Sequence, residues 1–313
     1  MEEQKQGYED KQEIDDLNLG GEVEEKIRML DEYAKDKNEE QLVQVRVHQL
    51  ALAKILVFVH NKTPSYLVTS HCKLGEAYLG YRCYEQAIDH LTTALRKNNK
   101  LFSEKTESKK YHAHILTLLG KAYLEIGNCE DAIELLLKAL EMTQLCYGED
   151  DINCASIMTL LANCYTKLKD YDQALEYINR VWDISESKYG FKSESCALVY
   201  LETAKIYAKK EVYDKAVEFQ KRALGTLIEL NLEKNPEYIA NLLNQLSNYQ
   251  QKCNDTDGYI ESLDRVKKIF NEIYGELDKR SLKVKKALAL ALMKNNQNED
   301  AFRELLETEQ LQA

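Results

Sequence analysis

Proline and glycine are scarce in this chain. Two prolines, Pro64 and Pro236, and twelve glycines are all that 313 residues contain. Proline breaks a helix interior and glycine weakens it, so their rarity permits many long helices and excludes a proline-rich or glycine-rich linker. Long apolar runs are missing too. The most hydrophobic stretch, from Leu50 to Val59, is short and broken by Lys54, so no membrane span is expected. The first twenty residues are polar and acidic, which speaks against a signal or transit peptide. The eight cysteines (72, 83, 129, 146, 154, 164, 196 and 253) form no C-x-x-C pair. They read as reduced core residues of a cytoplasmic protein.

Signatures of chemistry are also lacking. The sequence has no glycine-rich phosphate loop, no nucleophile elbow and no H-E-x-x-H. The six histidines make no chelating pattern: His112 and His114 are two apart on a helix and point to different faces, and His71-Cys72 is adjacent. The expectation is a chain with no catalytic, cofactor or metal site, and not an enzyme.

What is present is a repeat. Leu-Gly/Ala-x-x-Tyr followed nine residues on by Ala occurs at Leu74-Gly75…Tyr78…Ala87, Leu119-Gly120…Tyr123…Ala132 and Leu161-Ala162…Tyr165…Ala174. Partial copies are Ala204…Tyr207…Ala216 and Leu288-Ala289…Leu292…Ala301. A period near 42 residues means a stacked array of helical hairpins, each helix A carrying the Leu, small residue and Tyr, and each helix B the Ala. The small residues stand where helix A nearly touches helix B. A second marker, Tyr147-Gly148, Tyr189-Gly190 and Tyr274-Gly275, reads as the stop of a long helix B.

The expected organisation is an acidic flexible tail over 1–21, a degenerate capping hairpin over 22–62, and a solenoid over 63–310. Its repeats fall near 63–107, 108–149, 150–191, 192–234, 235–276 and 277–310, giving about seven antiparallel hairpins. Repeat five is weak, with Gly258-Tyr259 where a clean Ala belongs and its register open by one residue; Asn231-Leu232 fills the slot of a missing Tyr-Gly.

The formal charge of -11 is uneven. Residues 1–40 hold 15 acidic and 6 basic side chains, leaving the rest nearly neutral. An acidic total argues against nucleic acid as a partner. The segment 96–110 is basic. So is 265–286, where Lys267, Lys268, Lys279, Arg280, Lys283, Lys285 and Lys286 make a candidate patch for an acidic surface or an ordinary solvated helix face.

These columns and spacings resemble the tetratricopeptide repeat, and the 42-residue period with Tyr-Gly between repeats resembles the longer-helix variety of kinesin light chains. In order of features, the chain is similar to the ciliary family called tetratricopeptide repeat protein twenty-three. The resemblance implies an all-α right-handed superhelical solenoid whose A helices line a concave groove for helices or extended peptides. The groove residues carried over are Thr69, Cys72, Glu76, His114, Thr117, Lys121, Ser156, Thr159, Asn163, Lys167, Leu201, Lys205 and Lys209. Of these Lys121, Asn163, Lys167, Lys205 and Lys209 suit an acidic or extended peptide. Cys72 and Glu76 fall where a chaperone-type carboxylate clamp needs Lys or Asn. The resulting expectation is a non-enzymatic scaffold in a ciliary, axonemal or microtubule-associated complex. The alternatives are a soluble cargo or chaperone adaptor and a structural part of a large assembly, for which the outer face of Trp182 is a place to look.

Overall fold

A computed structural model describes residues 21–59, 61–62, 64–101, 106–230 and 235–310. The acidic tail before residue 21, the Asn231-Leu232 junction and part of the basic 96–110 segment lie outside the described residues. Those described form fourteen α-helices, one 3-10 turn and no strand. They fall into two compact units, residues 1–167 and 168–313.

In the first unit α1 covers 21–33 and is followed by the turn Ala34–Asp36 and α2 (Glu39–Phe58). Then come α3 (Ser65–Gly80), α4 (Tyr84–Leu101), α5 (Thr106–Ile126), α6 (Cys129–Tyr147) and α7 (Ile152–Lys167). The second unit holds α8 (Tyr171–Tyr189), α9 (Glu194–Lys209), α10 (Tyr213–Glu229), α11 (Pro236–Lys252), α12 (Thr256–Tyr274), α13 (Lys279–Lys294) and α14 (Asn298–Gln310). Hairpin partners pack most closely, as in α3 with α4, α5 with α6, α9 with α10 and α11 with α12. Within the first unit each helix from α2 to α7 also packs on the next, α3 touches α5 and α5 touches α7, and within the second unit each helix from α8 to α14 packs on the next. The A helices α3, α5 and α7 therefore lie side by side.

Helix starts follow from short polar side chains. Asn38, Asn128, Asp170, Ser193, Asn235 and Asp255 each accept a hydrogen bond from the backbone N–H three residues on, satisfying a donor that the helix itself cannot. Helix ends follow two rules. Of the B helices, α10 closes on Leu230, whereas α6, α8 and α12 close on Gly148, Gly190 and Gly275, with φ between 81° and 97° and ψ near 162°. That region of backbone space is open essentially to glycine alone. Each helix A from α3 onward instead ends beside one left-handed residue: Arg82, Gly127, Lys169, Glu211, Asn254 and Asn296, with φ from 59° to 89°. Only one of these six is glycine.

The left-handed series fixes the register of repeat five. The residue five positions on is Ala87, Ala132, Ala174 and Ala216 in four repeats and Ala301 in the last. In repeat five it is Tyr259, not Gly258. The residue seven positions back, facing helix B, is Gly75, Gly120, Ala162 and Ala204, then buried Ser247. At Gly75 and Gly120 the fit is tightest. A Cβ would lie 2.6 Å from the Cγ of Leu91 or Leu136, both fully buried. In the next repeat Ile178 takes the place of leucine and Ala162 that of glycine, so bulk moves from one helix to the other.

The hairpin without the signature is held by ions. Asp31 on α1 pairs with Arg46 on α2 at 2.5 Å and with Lys73 on α3 at 2.7 Å. Burial raises the Asp31 carboxyl, but hydrogen bonds from Lys73, Gln49 and Arg46 outweigh it and hold the group below its usual range.

Candidate functional site

Between α5 and α7, over the C-terminal end of α6, the first unit has a pocket of about 420 Å3. Its walls carry Lys110, Tyr111, His114 and Thr117 from α5, Thr143 and Tyr147 from α6, and Asn153, Ser156 and Ile157 from α7. Three expected groove residues, His114, Thr117 and Ser156, thus share one cavity. The Lys110 ammonium lies 4.7 Å from the centre of the Tyr147 ring, a cation–π contact at the rim. Thr117 donates its hydroxyl to Ala113 O one turn back, and Thr159 does the same to Ala155 O. Their oxygens remain able to accept. Exposed Lys121 and half-buried Asn163 lie one to two turns further along α5 and α7.

Several expected groove residues are placed elsewhere. Cys72 is 2% exposed and packs in the core, where burial pushes its thiol up to about 11 and Tyr111 hydrogen-bonds to it. The Tyr111 hydroxyl is pushed far above its ordinary value by the same burial and by Cys72. Leu201 is likewise core. Lys167 does not reach out over a groove: its ammonium donates to Leu124 O at 2.6 Å, at the C-terminal end of α5, where the helix dipole favours a cation. In the second unit Lys205 pairs with Glu202 on the same helix at 2.7 Å, while Lys209 is exposed. Lys121, Asn163 and Lys167 belong to the first unit, Lys205 and Lys209 to the second.

The basic segment of α12 and α13 does not form one patch. Lys285 is 2% exposed, with Glu276 at 3.5 Å, and Lys267 sits between Asp264 at 3.1 Å and Glu304 at 2.6 Å. Burial lowers the Lys267 ammonium, but Glu304 and Asp264 outweigh it and raise it overall. Lys268 pairs with Asp264 and Arg280 with Asp278, leaving Lys279, Lys283 and Lys286 as exposed members outside these pairs. Repeat register explains the burial. Counting 85 residues back, the positions of Lys267, Lys285, Glu304 and Glu276 are those of Trp182, Tyr200, Phe219 and Phe191. One repeat builds an aromatic cluster where another builds an internal ion network.

Pairings between helices were not readable from single-chain spacing. His71 on α3 and His90 on α4 bring their Nδ1 atoms to 3.1 Å, and His90 stacks on Tyr78. Burial, then the charges of His90, Lys97 and Lys54, push His71 down to about 4. Among the described residues no three His, Cys, Asp or Glu side chains converge to hold a metal ion.

Tetratricopeptide repeat models match residues 72–146, 111–187 and 153–229, together just over half of the chain. The chain is a tetratricopeptide repeat protein. This repeat protein also resembles solved structures. BtubC (BKLC) from P. vanneervenii has a TM-score of 0.62 and 21% identity over 77% of this chain and 94% of that one. A Podosopora anserina putative kinesin light chain with nearly identical TPR-like repeats has a TM-score of 0.54 and 18% identity, over 67% and 98%. A Rap protein complexed with competence and sporulation factor has a TM-score of 0.54 and 17% identity, over 96% and 88%. At these identities the likeness shows the fold, an all-helical repeat solenoid. No curated protein matches the chain significantly. Among the described residues no helix is long and apolar enough to cross a membrane.

Proposed function

We propose that this repeat protein is a non-enzymatic interaction scaffold that holds an extended or helical segment of a partner against the A-helix face of α3, α5 and α7. The carrying observation is the pocket between α5 and α7. It offers a cation, an imidazole, an amide and the hydroxyls of Tyr111, Thr117, Thr143, Tyr147 and Ser156 within one concavity, with Lys121 and Asn163 further along the same helices. The cation, imidazole and amide suit the carbonyls and carboxylates of an extended peptide, and the threonine and serine oxygens can accept from its N–H groups. The Rap protein neighbour, complexed with a factor, lends support by analogy of fold. Selection of a displayed random-peptide library on the full chain tests the reading. Acidic peptides should be enriched, and the triple variant Lys121→Ala/His114→Ala/Asn153→Ala should weaken them at least tenfold without altering folding, because all three side chains are exposed. Failure to enrich any sequence, or binding unchanged in the variant, refutes it.

The finer setting we propose is a ciliary, axonemal or other microtubule-associated complex. It rests on the kinesin-light-chain-like repeats and is weakened by the burial of Lys267 and Lys285. Co-sedimentation with microtubules that is lost at raised salt would support it. Recovery of only soluble cargo or chaperones by proximity labelling would favour the adaptor alternative.

A further inference from the structure

A second cavity, of about 490 Å3, opens between α8 and α10 with α9 as its floor, on the side of the B helices. It is lined by rings. Trp182 lies 4.7 Å from Tyr200 between ring centres and stands nearly perpendicular to Phe191 at 6.0 Å. Tyr200 meets Phe219 at 6.0 Å, and Phe219 stacks on Tyr207 at 5.6 Å. One corner is polar. Arg222 lies over the Phe219 ring at 5.5 Å and lines the cavity together with Glu186. Burial raises the Tyr200 hydroxyl, the Arg222 cation opposes that rise and the Glu186 charge adds to it. Arg222 also pairs with Glu218, but both side chains are more than half exposed, so that pair yields readily to a competitor.

The repeat does not require these rings. At the same register 85 residues on, Lys267, Lys285, Glu304 and Glu276 replace Trp182, Tyr200, Phe219 and Phe191, and the helices still pack. Packing alone therefore does not dictate the aromatic set. Phe191, 56% exposed, keeps a large apolar ring in water at the mouth.

We propose that this cavity is a docking site for a tyrosine side chain of a partner polypeptide. The ring enters among Trp182, Phe191, Tyr200 and Phe219 with the edge and offset contacts that aromatic pairs prefer. The phenol hydroxyl then reaches the charged corner, accepting from Arg222 and donating to Glu186. A hydroxyl complements a cation and an anion together; a bare ring forgoes both bonds, and a phosphorylated ring sets its charge against Glu186. The site is separate from the α5–α7 pocket, so the two readings fail independently.

Trp182 is the chain's single tryptophan and lines the cavity, so its emission reports occupancy. The full chain is titrated with N-acetyl-L-tyrosinamide under excitation selective for tryptophan. One saturable change is expected, with a dissociation constant of about a millimolar, as suits so small a ligand. N-acetyl-L-phenylalaninamide should bind at least tenfold more weakly. Arg222→Gln and Glu186→Gln, both at exposed positions, should each reduce tyrosinamide affinity about fivefold and leave the phenylalanine analogue unchanged. The proposal is overturned by absence of a saturable change, by equal binding of the two amides, or by indifference to both variants. Phenol binding as tightly as the blocked amino acid would overturn it in favour of a small-molecule site. Concentration-dependent self-association that tyrosinamide abolishes would overturn it in favour of a second copy of the chain.

Discussion

Glycine plays three distinct parts here, separated by side-chain contact and backbone angle. Gly75 and Gly120 are demanded by contact: a Cβ on Gly120 would meet Leu136 Cγ at 2.6 Å and Cδ2 at 2.8 Å, with Ala132 O behind them at 3.3 Å. Leu136 is fully buried and cannot swing away. Gly190 faces open space but holds φ at 81°, so its demand is conformational. Gly225, within α10, has neither constraint. Gly120→Ala is therefore expected to destabilise by roughly 1–3 kcal/mol through overpacking. Gly225→Ala should stabilise by about 0.5–1 kcal/mol through helix propensity and a less disordered unfolded chain. Urea denaturation of the two variants should show midpoints moving in opposite directions; two shifts of the same sign would contradict the assigned contacts. The recurring Leu-Gly/Ala column made the first kind of glycine legible in the sequence. The left-handed residues Arg82, Lys169, Glu211, Asn254 and Asn296 were not legible, because side chains of such different chemistry tolerate a single αL position at modest cost.

At the scale of elements, α12, α13 and α14 show why a charge count misleads. Residues 265–286 carry a surplus of positive charge, and the sequence reads as a basic face. The fold turns two of those lysines inward, where register puts an aromatic cluster in the repeat 85 residues earlier. Composition along one helix cannot reveal that Glu304, on the next, will meet Lys267 at 2.6 Å. The two lysines differ in what they leave behind. Removing Lys267 takes the cation at 2.6 Å from Glu304, 14% exposed, while Asp264 keeps Lys268. Removing Lys285 leaves Glu276, which is 57% exposed and stays hydrated. Lys267→Met should thus cost about 3–5 kcal/mol, whereas Lys285→Met should be neutral or stabilising by about 1 kcal/mol, since an apolar chain replaces a buried ammonium. Thermal melting of both variants decides it: a Lys285→Met protein as damaged as Lys267→Met would mean that Lys285 is an equal partner in the network. The same logic bounds what was readable of the candidate site. His114, Thr117 and Ser156 could be placed by the repeat pattern, since i, i+3 spacing fixes a helix face. Lys167 and Cys72 could not, because their partners, Leu124 O and Tyr111, lie on other helices.

For the molecule as a whole, the period of about 42 residues has a thermodynamic consequence. Within each unit the hairpins are built from contacts between helices that are neighbours along the chain. Stability in such an array is close to a sum of repeat terms and nearest-neighbour terms, so damage stays local. Leu136 provides the test. It is fully buried in α6, and its truncation to alanine opens a cavity costing about 2–5 kcal/mol. Native-state hydrogen exchange of Leu136→Ala should show faster exchange in α5, α6 and α7, by about thirtyfold or more for each 2 kcal/mol lost. Amides of α11 to α14 should keep their wild-type rates. In a single cooperative core the same substitution would accelerate every amide that exchanges only by global unfolding, whatever its distance from residue 136. Uniform acceleration through residues 235–310 would therefore show that the repeats do not act as separable units. It would also mean that a partner bound at α5–α7 must order the whole chain rather than its own hairpins.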